Sequence, residues 1–168
     1  TWINKIENWT WNAVETLKYS SGPDYSYGLT SNQIYLHEMN RSTKTSTVGK
    51  WTTPTAKVGL MYVSDYTLSL GSSALAITGS IHDNRDTLKT GWMYPGNNDT
   101  SSDIIEEWTM AKMDTNSNGY KAFYVDEDGS ISYFDVYERY AIRPVFYLPS
   151  DVTSSGGTGT LSDPFILE

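Results

Sequence analysis

The amino-acid sequence predicts an α+β fold, in which early helices pack on a small antiparallel sheet. Residues 1–39 contain two stretches with apolar side chains at helical spacing, whereas the strand-like stretches are concentrated after residue 107. Strands and helices do not alternate along the chain, and the sequence has no glycine-rich phosphate loop. These two observations argue against a doubly wound, nucleotide-binding sheet.

The composition is typical of a β-rich exported domain. The 168 residues are expected to form one domain over 1–168, with any membrane anchor or leader lying outside it. The net charge of −8 argues against a nucleic-acid partner, because phosphate binding needs clustered Lys and Arg. The chain has no cysteine, which excludes disulfides and thiolate chemistry, and it has no apolar run long enough to span a membrane.

The first half of the chain contains three predicted elements. Residues 2–19 have apolar side chains three and four positions apart, which predicts an amphipathic helix with Trp2, Trp9 and Trp11 on its buried face. A second helix is predicted over Gln33–Met39, with its cap at Thr30, Ser31 or Asn32. Residues 57–66 are apolar enough for a strand buried on both faces. Residues 67–103 are expected to form a long irregular loop.

The second half predicts an antiparallel meander. Residues 107–110 form a short strand in this interpretation, and residues 120–125 and 131–136 form a hairpin, with Gly129 at positive φ in its turn. A third strand is expected over 140–148. A flexible bend over 156–159 then precedes a closing strand over 164–167.

The residue types that carry catalysis are scarce or poorly placed. The only histidines are His37 and His82, and no G-x-S-x-G sequence is present. The group of His82, Asp83 and Asp86 is interpreted as a surface cluster rather than half a metal site. Glu106 and Glu107 are interpreted as the end of a strand, not as the acid pair of a glycosidase. We therefore predict no catalytic residue and no enzymatic activity.

Two groups of residues are candidates for ligand or metal binding. Asp114, Asn116 and Asn118 match the first half of a calcium loop, but Val125 stands where the bidentate Glu should be. A simple turn is the favoured interpretation, no cofactor is expected, and calcium is kept as the alternative. The candidate ligand-binding residues are aromatic or polar and lie near loop sequence: Trp92, Tyr94, Asn97 and Tyr120.

Four blocks of sequence resemble a recurrent pattern in exported proteins of Gram-positive gut bacteria. They are YLHEMNR at 35–41, KVGLMYVSDY at 57–66, EWTMAK at 107–112 and YAIRPVFYLPSDVTSSGGTGTLSDPFIL at 140–167. That family carries GLMYxSDYGYA, WTxSP and xVRPVxYLKSDV followed by GGxGTxxNPYxL. The chain departs from the pattern at Thr67-Leu68 and at Ala111-Lys112, and it lacks the usual cysteine of the middle loop.

The resemblance implies a C-type lectin-like fold, in which Trp108 belongs to the core and Arg143 is a structural clamp. An arginine inside an apolar strand is explained if its guanidinium binds an internal carboxylate, and Asp65 is the expected partner. Pro144 is tolerated if its strand lies at a sheet edge. The enzymes of this superfold require cysteines, so the resemblance also implies a non-enzymatic domain.

The resulting functional hypothesis is an extracellular binding or adhesion domain of a cell-surface or type IV pilin-like protein. Its expected partner is an extracellular ligand, either a glycan or a host or bacterial surface protein, and neighbouring filament subunits are a further candidate. One alternative is a diversified receptor-binding protein of a retroelement or phage on the same fold. The other is a secreted hydrolase whose acid pair lies in the long loop.

Overall fold

The computed structural model describes residues 6–10, 30–39, 55–71, 84–97, 106–113, 121–159 and 162–168. Within these ranges the chain forms three short α-helices and ten short strands, so the fold is α+β as predicted.

Helix α1 spans Ser31–Met39 and confirms the second predicted helix. It begins directly after Thr30, whose carbonyl accepts a hydrogen bond from the Ile34 N–H at 3.1 Å. Ile34 and Glu38 are fully buried. Because residues four positions apart lie on the same helix face, α1 presents one apolar and one acidic side chain to the interior.

The predicted strand over residues 57–66 is wrong for most of its length. Only Gly59–Leu60 form a strand, β3, and the chain then turns into helix α2 at Val63–Leu68. The apolar density that suggested a doubly buried strand is real, since Met61, Tyr62, Val63 and Tyr66 are all buried. A short apolar run fits a buried helix as well as a buried strand, and contacts with the rest of the chain decide between them.

The predicted helix over residues 2–19 is wrong where the structure describes it. Residues 6–8 have no regular secondary structure, and Trp9–Thr10 form β1, which pairs antiparallel with β2 at Thr55–Ala56. Trp9 is half-exposed and stacks on Tyr147 with ring centroids 4.4 Å apart. A strand partner more than 40 residues away is a tertiary contact that helical spacing cannot reveal. Residues 1–5 and 11–19 lie outside the described residues.

A four-stranded sheet forms the centre of the second half. Its strands are β4 (Glu107–Met113), β5 (Lys121–Val125), β6 (Ile131–Asp135) and β7 (Ala141–Ile142), in the order β6-β5-β4-β7. The β5–β6 hairpin confirms the prediction, with Val125 opposite Ile131. However, β7 pairs with β4 in parallel, so the sheet is not the simple antiparallel meander that was expected.

The predicted strand over residues 140–148 is interrupted at Arg143. Its first part is β7, and its second part is β8 at Pro144–Val145, which leaves the sheet and pairs antiparallel with β3. The C-terminal strands β9 (Ser154–Gly156) and β10 (Ile166–Leu167) pair with each other, so the predicted closing strand is confirmed at its end. The bend between them contains Gly157 and Gly159, both at positive φ.

The hairpin tip, residues 126–130, docks on the helical part of the molecule. The Tyr66 hydroxyl of α2 donates a hydrogen bond to the Gly129 carbonyl at 2.8 Å, and the Tyr94 hydroxyl donates to the Glu127 carbonyl at 2.8 Å. Arg85, the first residue of helix α3 (Arg85–Leu88), forms an ion pair with Asp128 at 2.9 Å. Hydrogen bonds from Ser130 and Arg85 outweigh the opposing effect of partial burial and lower the pKa of Asp128 to about 2.

The main core lies between α1, α2, α3 and one face of the sheet. It consists of Ile34, Met61, Val63, Tyr66, Leu88, Met93, Tyr94, Ala111, Phe123, Val125 and Ile131. Among the described residues, no helix combines the length and apolar character that a membrane span requires.

Candidate ligand-binding cleft

An open cleft of about 540 Å³ lies beside α2. Three parts of the described chain line it: α2 from Asp65 to the following Ser69, the segment at Trp92–Met93, and the chain from Arg143 to Phe146. The lining is mostly apolar, with Leu68, Met93, Pro144, Val145 and Phe146 around the polar residues Asp65, Ser69 and Arg143, and with Trp92 at the rim. The cleft therefore brings together four residues that the sequence singled out: Asp65, Trp92, Arg143 and Pro144.

Two carboxylates hold the N-terminus of α2 and thereby fix one wall of the cleft. Glu38 of α1 accepts the N–H groups of Val63 and Ser64, one on each oxygen, both at 3.0 Å. Asp65 accepts the Tyr62 N–H at 2.8 Å. These three N–H groups have no partner within the helix itself, and the positive end of the helix dipole favours carboxylates here. Glu38 was not predicted as a structural residue, since its role depends on the position of α2.

Burial acts against the charge of both carboxylates. Desolvation of the fully buried Glu38 outweighs its hydrogen bonds, and the nearby charge of Asp65 adds to the effect, so that the pKa of Glu38 is raised from 4.5 to about 7. Desolvation also raises the pKa of Asp65, against the opposing hydrogen bond from Tyr62.

Arg143 pairs with Glu107, not with Asp65 as predicted. Its Nη2 lies 2.9 Å from Oε2 and 3.0 Å from Oε1 of Glu107. The two side chains are 23% and 14% exposed, so the ion pair is largely shielded from solvent. Strand β7 runs parallel to β4, with Ala141 opposite Glu107. Arg143 follows Ala141 by two residues, so it stands close to Glu107 on the neighbouring strand. The ion pair between Arg143 and Glu107 was not evident from the sequence, because the predicted antiparallel meander does not place β7 beside β4.

Pro144 explains where the strand breaks. It is exposed and lies opposite Leu60 in a sheet of only two strands, and a strand at a sheet edge tolerates a residue that lacks an N–H. The Arg-Pro pair therefore marks the point at which the chain moves from the four-stranded sheet to β3. Both residues face the cleft.

The predicted ligand-binding residues occupy different environments. Trp92 is 70% exposed at the rim of the cleft. Tyr94 is buried and its hydroxyl is bonded to the hairpin tip, while the Asn97 amide donates to the Gly91 carbonyl at 2.7 Å. These two residues hold the 91–97 segment in place, and only Trp92 of the three lines the cleft. Tyr120 lies outside the described residues.

The other predicted positions lie away from the cleft or outside the described residues. Trp108 is half-buried and packs against Tyr140 with ring centroids 4.6 Å apart. The calcium candidates Asp114, Asn116 and Asn118, together with His82 and Asp83, lie outside the described residues. Within the ranges that the structure covers, no three acidic or histidine side chains cluster as a metal site would require.

Comparisons with known proteins add no relative: no protein-family model matches the chain, and neither a curated protein nor a solved structure is similar to it.

Proposed function

We propose that this chain is a non-enzymatic, extracellular binding domain with a C-type lectin-like fold, belonging to a bacterial cell-surface or type IV pilin-like protein. The observation that carries the proposal is the cleft, which combines an exposed tryptophan with polar groups that are already engaged in structural bonds. Asp65 holds the N-terminus of α2, and Arg143 is paired with Glu107. Such a site can recognise a ligand, whereas acid–base catalysis needs a group that is free to exchange a proton with the substrate.

The position of the acid pair Glu106 and Glu107 also favours binding over hydrolysis. Glu106 and Glu107 are consecutive residues, and Glu107 begins β4. Glu106 immediately precedes β4, and two adjacent residues do not have the arrangement of carboxylates that flank one glycosidic bond from opposite sides. In addition, the Glu107 carboxylate is occupied by Arg143.

The fold part of the proposal rests on the arrangement of elements. Two helices from the first half of the chain pack near a small, mainly antiparallel sheet, and the Arg-Pro segment leads from that sheet to the two-stranded sheet of β3 and β8. The four sequence blocks that resemble the exported bacterial family supply the second half of α1, β3 and the start of α2, most of β4, and the chain from β7 to β10.

The proposal is tested by probing an array of glycans and extracellular surface proteins with the purified chain, once with calcium and once with a chelator. We expect saturable binding to at least one class of extracellular molecule, with no turnover of glycoside or ester substrates. Turnover that is lost in Glu106→Gln or in Asp83→Asn would contradict the proposal and support a hydrolase.

A further inference from the structure

We propose that the cleft binds a neutral pyranose ring, which stacks on the Trp92 indole and forms hydrogen bonds with Asp65 and Arg143. This inference rests on the proposed function and adds the chemical class of the ligand and the residues that contact it. The proposal uses no residue of the calcium loop that was considered from the sequence.

Trp92 supplies a flat apolar surface, and the backbone on either side of it is closely packed. Its neighbours Gly91 and Met93 are buried, and a side chain at Gly91 would collide with Ser69, so the backbone approaches α2 closely here. The indole itself remains 70% exposed, which leaves a large apolar area in water. An aromatic ring held at the rim of a cleft is suited to stacking against the C–H face of a sugar ring.

Asp65 and Arg143 line the cleft, and each has more hydrogen-bonding sites than the contacts described above occupy. A carboxylate offers about four acceptor sites, and the Tyr62 N–H uses one of them. A guanidinium offers five N–H donors, and the contacts with Glu107 are made by Nη2. Asp65 bonds to the Tyr62 N–H and Arg143 bonds to Glu107, so the two side chains are not paired with each other. A ligand must therefore present both donors and acceptors, as adjacent sugar hydroxyls do.

The charge balance favours a neutral ligand. Arg143 and Glu107 cancel, so Asp65 leaves the cleft with one net negative charge, on a chain whose net charge is −8. An anionic ligand is disfavoured by this field. A cation would be attracted to Asp65 and to the face of Trp92, but an ammonium or guanidinium group offers no acceptor for the N–H donors of Arg143.

The size of the cleft fits this ligand class. Its volume of about 540 Å³ lies within the range of roughly 300–1,000 Å³ that is typical of small-molecule sites. Because the cleft is open to solvent, it can admit a terminal ring of a longer oligosaccharide. This geometry agrees with recognition of a glycan on a surface.

The test uses the intact chain and an array of neutral glycans, acidic glycans and Lys- and Arg-rich peptides. Trp92→Ala and Asp65→Asn are compared with Tyr137→Ala, which removes an equally exposed aromatic ring outside the cleft. We expect wild type to bind neutral glycans and Trp92→Ala to weaken that binding on the order of tenfold, equivalent to about 1.4 kcal/mol. Asp65→Asn should weaken it several-fold, and Tyr137→Ala and chelator should leave it unchanged.

The following results would overturn the inference. Glycan binding that Trp92→Ala leaves intact, or that chelator abolishes, would place the glycan site elsewhere. Binding of basic peptides instead of glycans, with loss in Asp65→Asn, would show that the ligand is a cation. Binding of surface proteins without any glycan would refute the sugar ligand and leave the proposed binding function standing, whereas substrate turnover would refute that function itself. Thermal unfolding of each variant verifies that it is folded.

Discussion

Arg143 and Glu107 illustrate how a single charged side chain can be accommodated inside an apolar segment. Removing the guanidinium leaves Glu107, which is only 14% exposed, without its counter-charge. We therefore predict that Arg143→Ala lowers the free energy of unfolding by about 2 kcal/mol, less than a fully buried pair would lose because this one is partly solvated. For a chain of this size the melting temperature should fall by roughly 4–8 °C, as measured by circular dichroism.

A double-mutant cycle separates the observed ion pair from the one predicted from sequence. Arg143→Ala and Glu107→Ala should be coupled by about 1–3 kcal/mol, since each removes the partner of the other. Arg143→Ala and Asp65→Asn should be nearly additive. A stable Arg143→Ala protein that lost only ligand binding would contradict the structural role of the arginine.

At the scale of elements, the docking of the hairpin tip on the helices depends on Gly129. Its φ is +78°, and a Cβ built there would lie 2.7 Å from Cγ of Lys89. We predict that Gly129→Ala destabilises the protein by about 1–2 kcal/mol from the backbone conformation alone. The displacement of Lys89 should add a further loss, because the Gly129 carbonyl must stay in place for the Tyr66 hydroxyl.

Gly71→Ala is a matched control for this substitution. Gly71 also has positive φ, +64°, but a Cβ there would meet nothing within 4 Å. The urea midpoints of the two variants should therefore differ, with Gly129→Ala the less stable by about 1 kcal/mol, the loss expected where a well-packed site is overfilled. Equal losses of stability in the two variants would indicate that close packing under the hairpin tip contributes nothing to the effect of Gly129→Ala.

The same elements show what could be predicted from the sequence. The β5–β6 hairpin was predictable because its turn residues and its apolar strands are adjacent in the chain. The α2 segment was not, because its helical state depends on the Glu38 carboxylate, which lies 25 residues from Val63. The cleft was predictable only in part for the same reason. Trp92 was identified by its loop context, whereas its meeting with Arg143 depends on the pairing of β8 with β3.

At the scale of the whole molecule, Glu38 links α1 to α2 and makes global stability depend on pH. Its pKa is about 7 in the folded chain, against an ordinary value of 4.5, so the unfolded chain releases this proton first. The contribution of Glu38 is complete below pH 4.5 and declines as the pH rises toward 7. By linkage, the free energy of unfolding should fall by up to roughly 3 kcal/mol across this interval because of this one group.

Urea denaturation at a series of pH values between 4.5 and 8 tests this dependence, with Glu38→Gln compared with wild type. The glutamine cannot ionise, and its single oxygen leaves one of the Val63 and Ser64 N–H groups without an acceptor, so we expect a less stable variant with a flatter profile. The advantage of wild type over Glu38→Gln should therefore shrink as the pH rises, and Glu127→Gln, at an exposed glutamate, controls for the change in net charge. A wild-type advantage that grows toward pH 8 would mean that the two N–H bonds outweigh desolvation, and that Glu38 is held as a carboxylate cap whose pKa lies below its ordinary value.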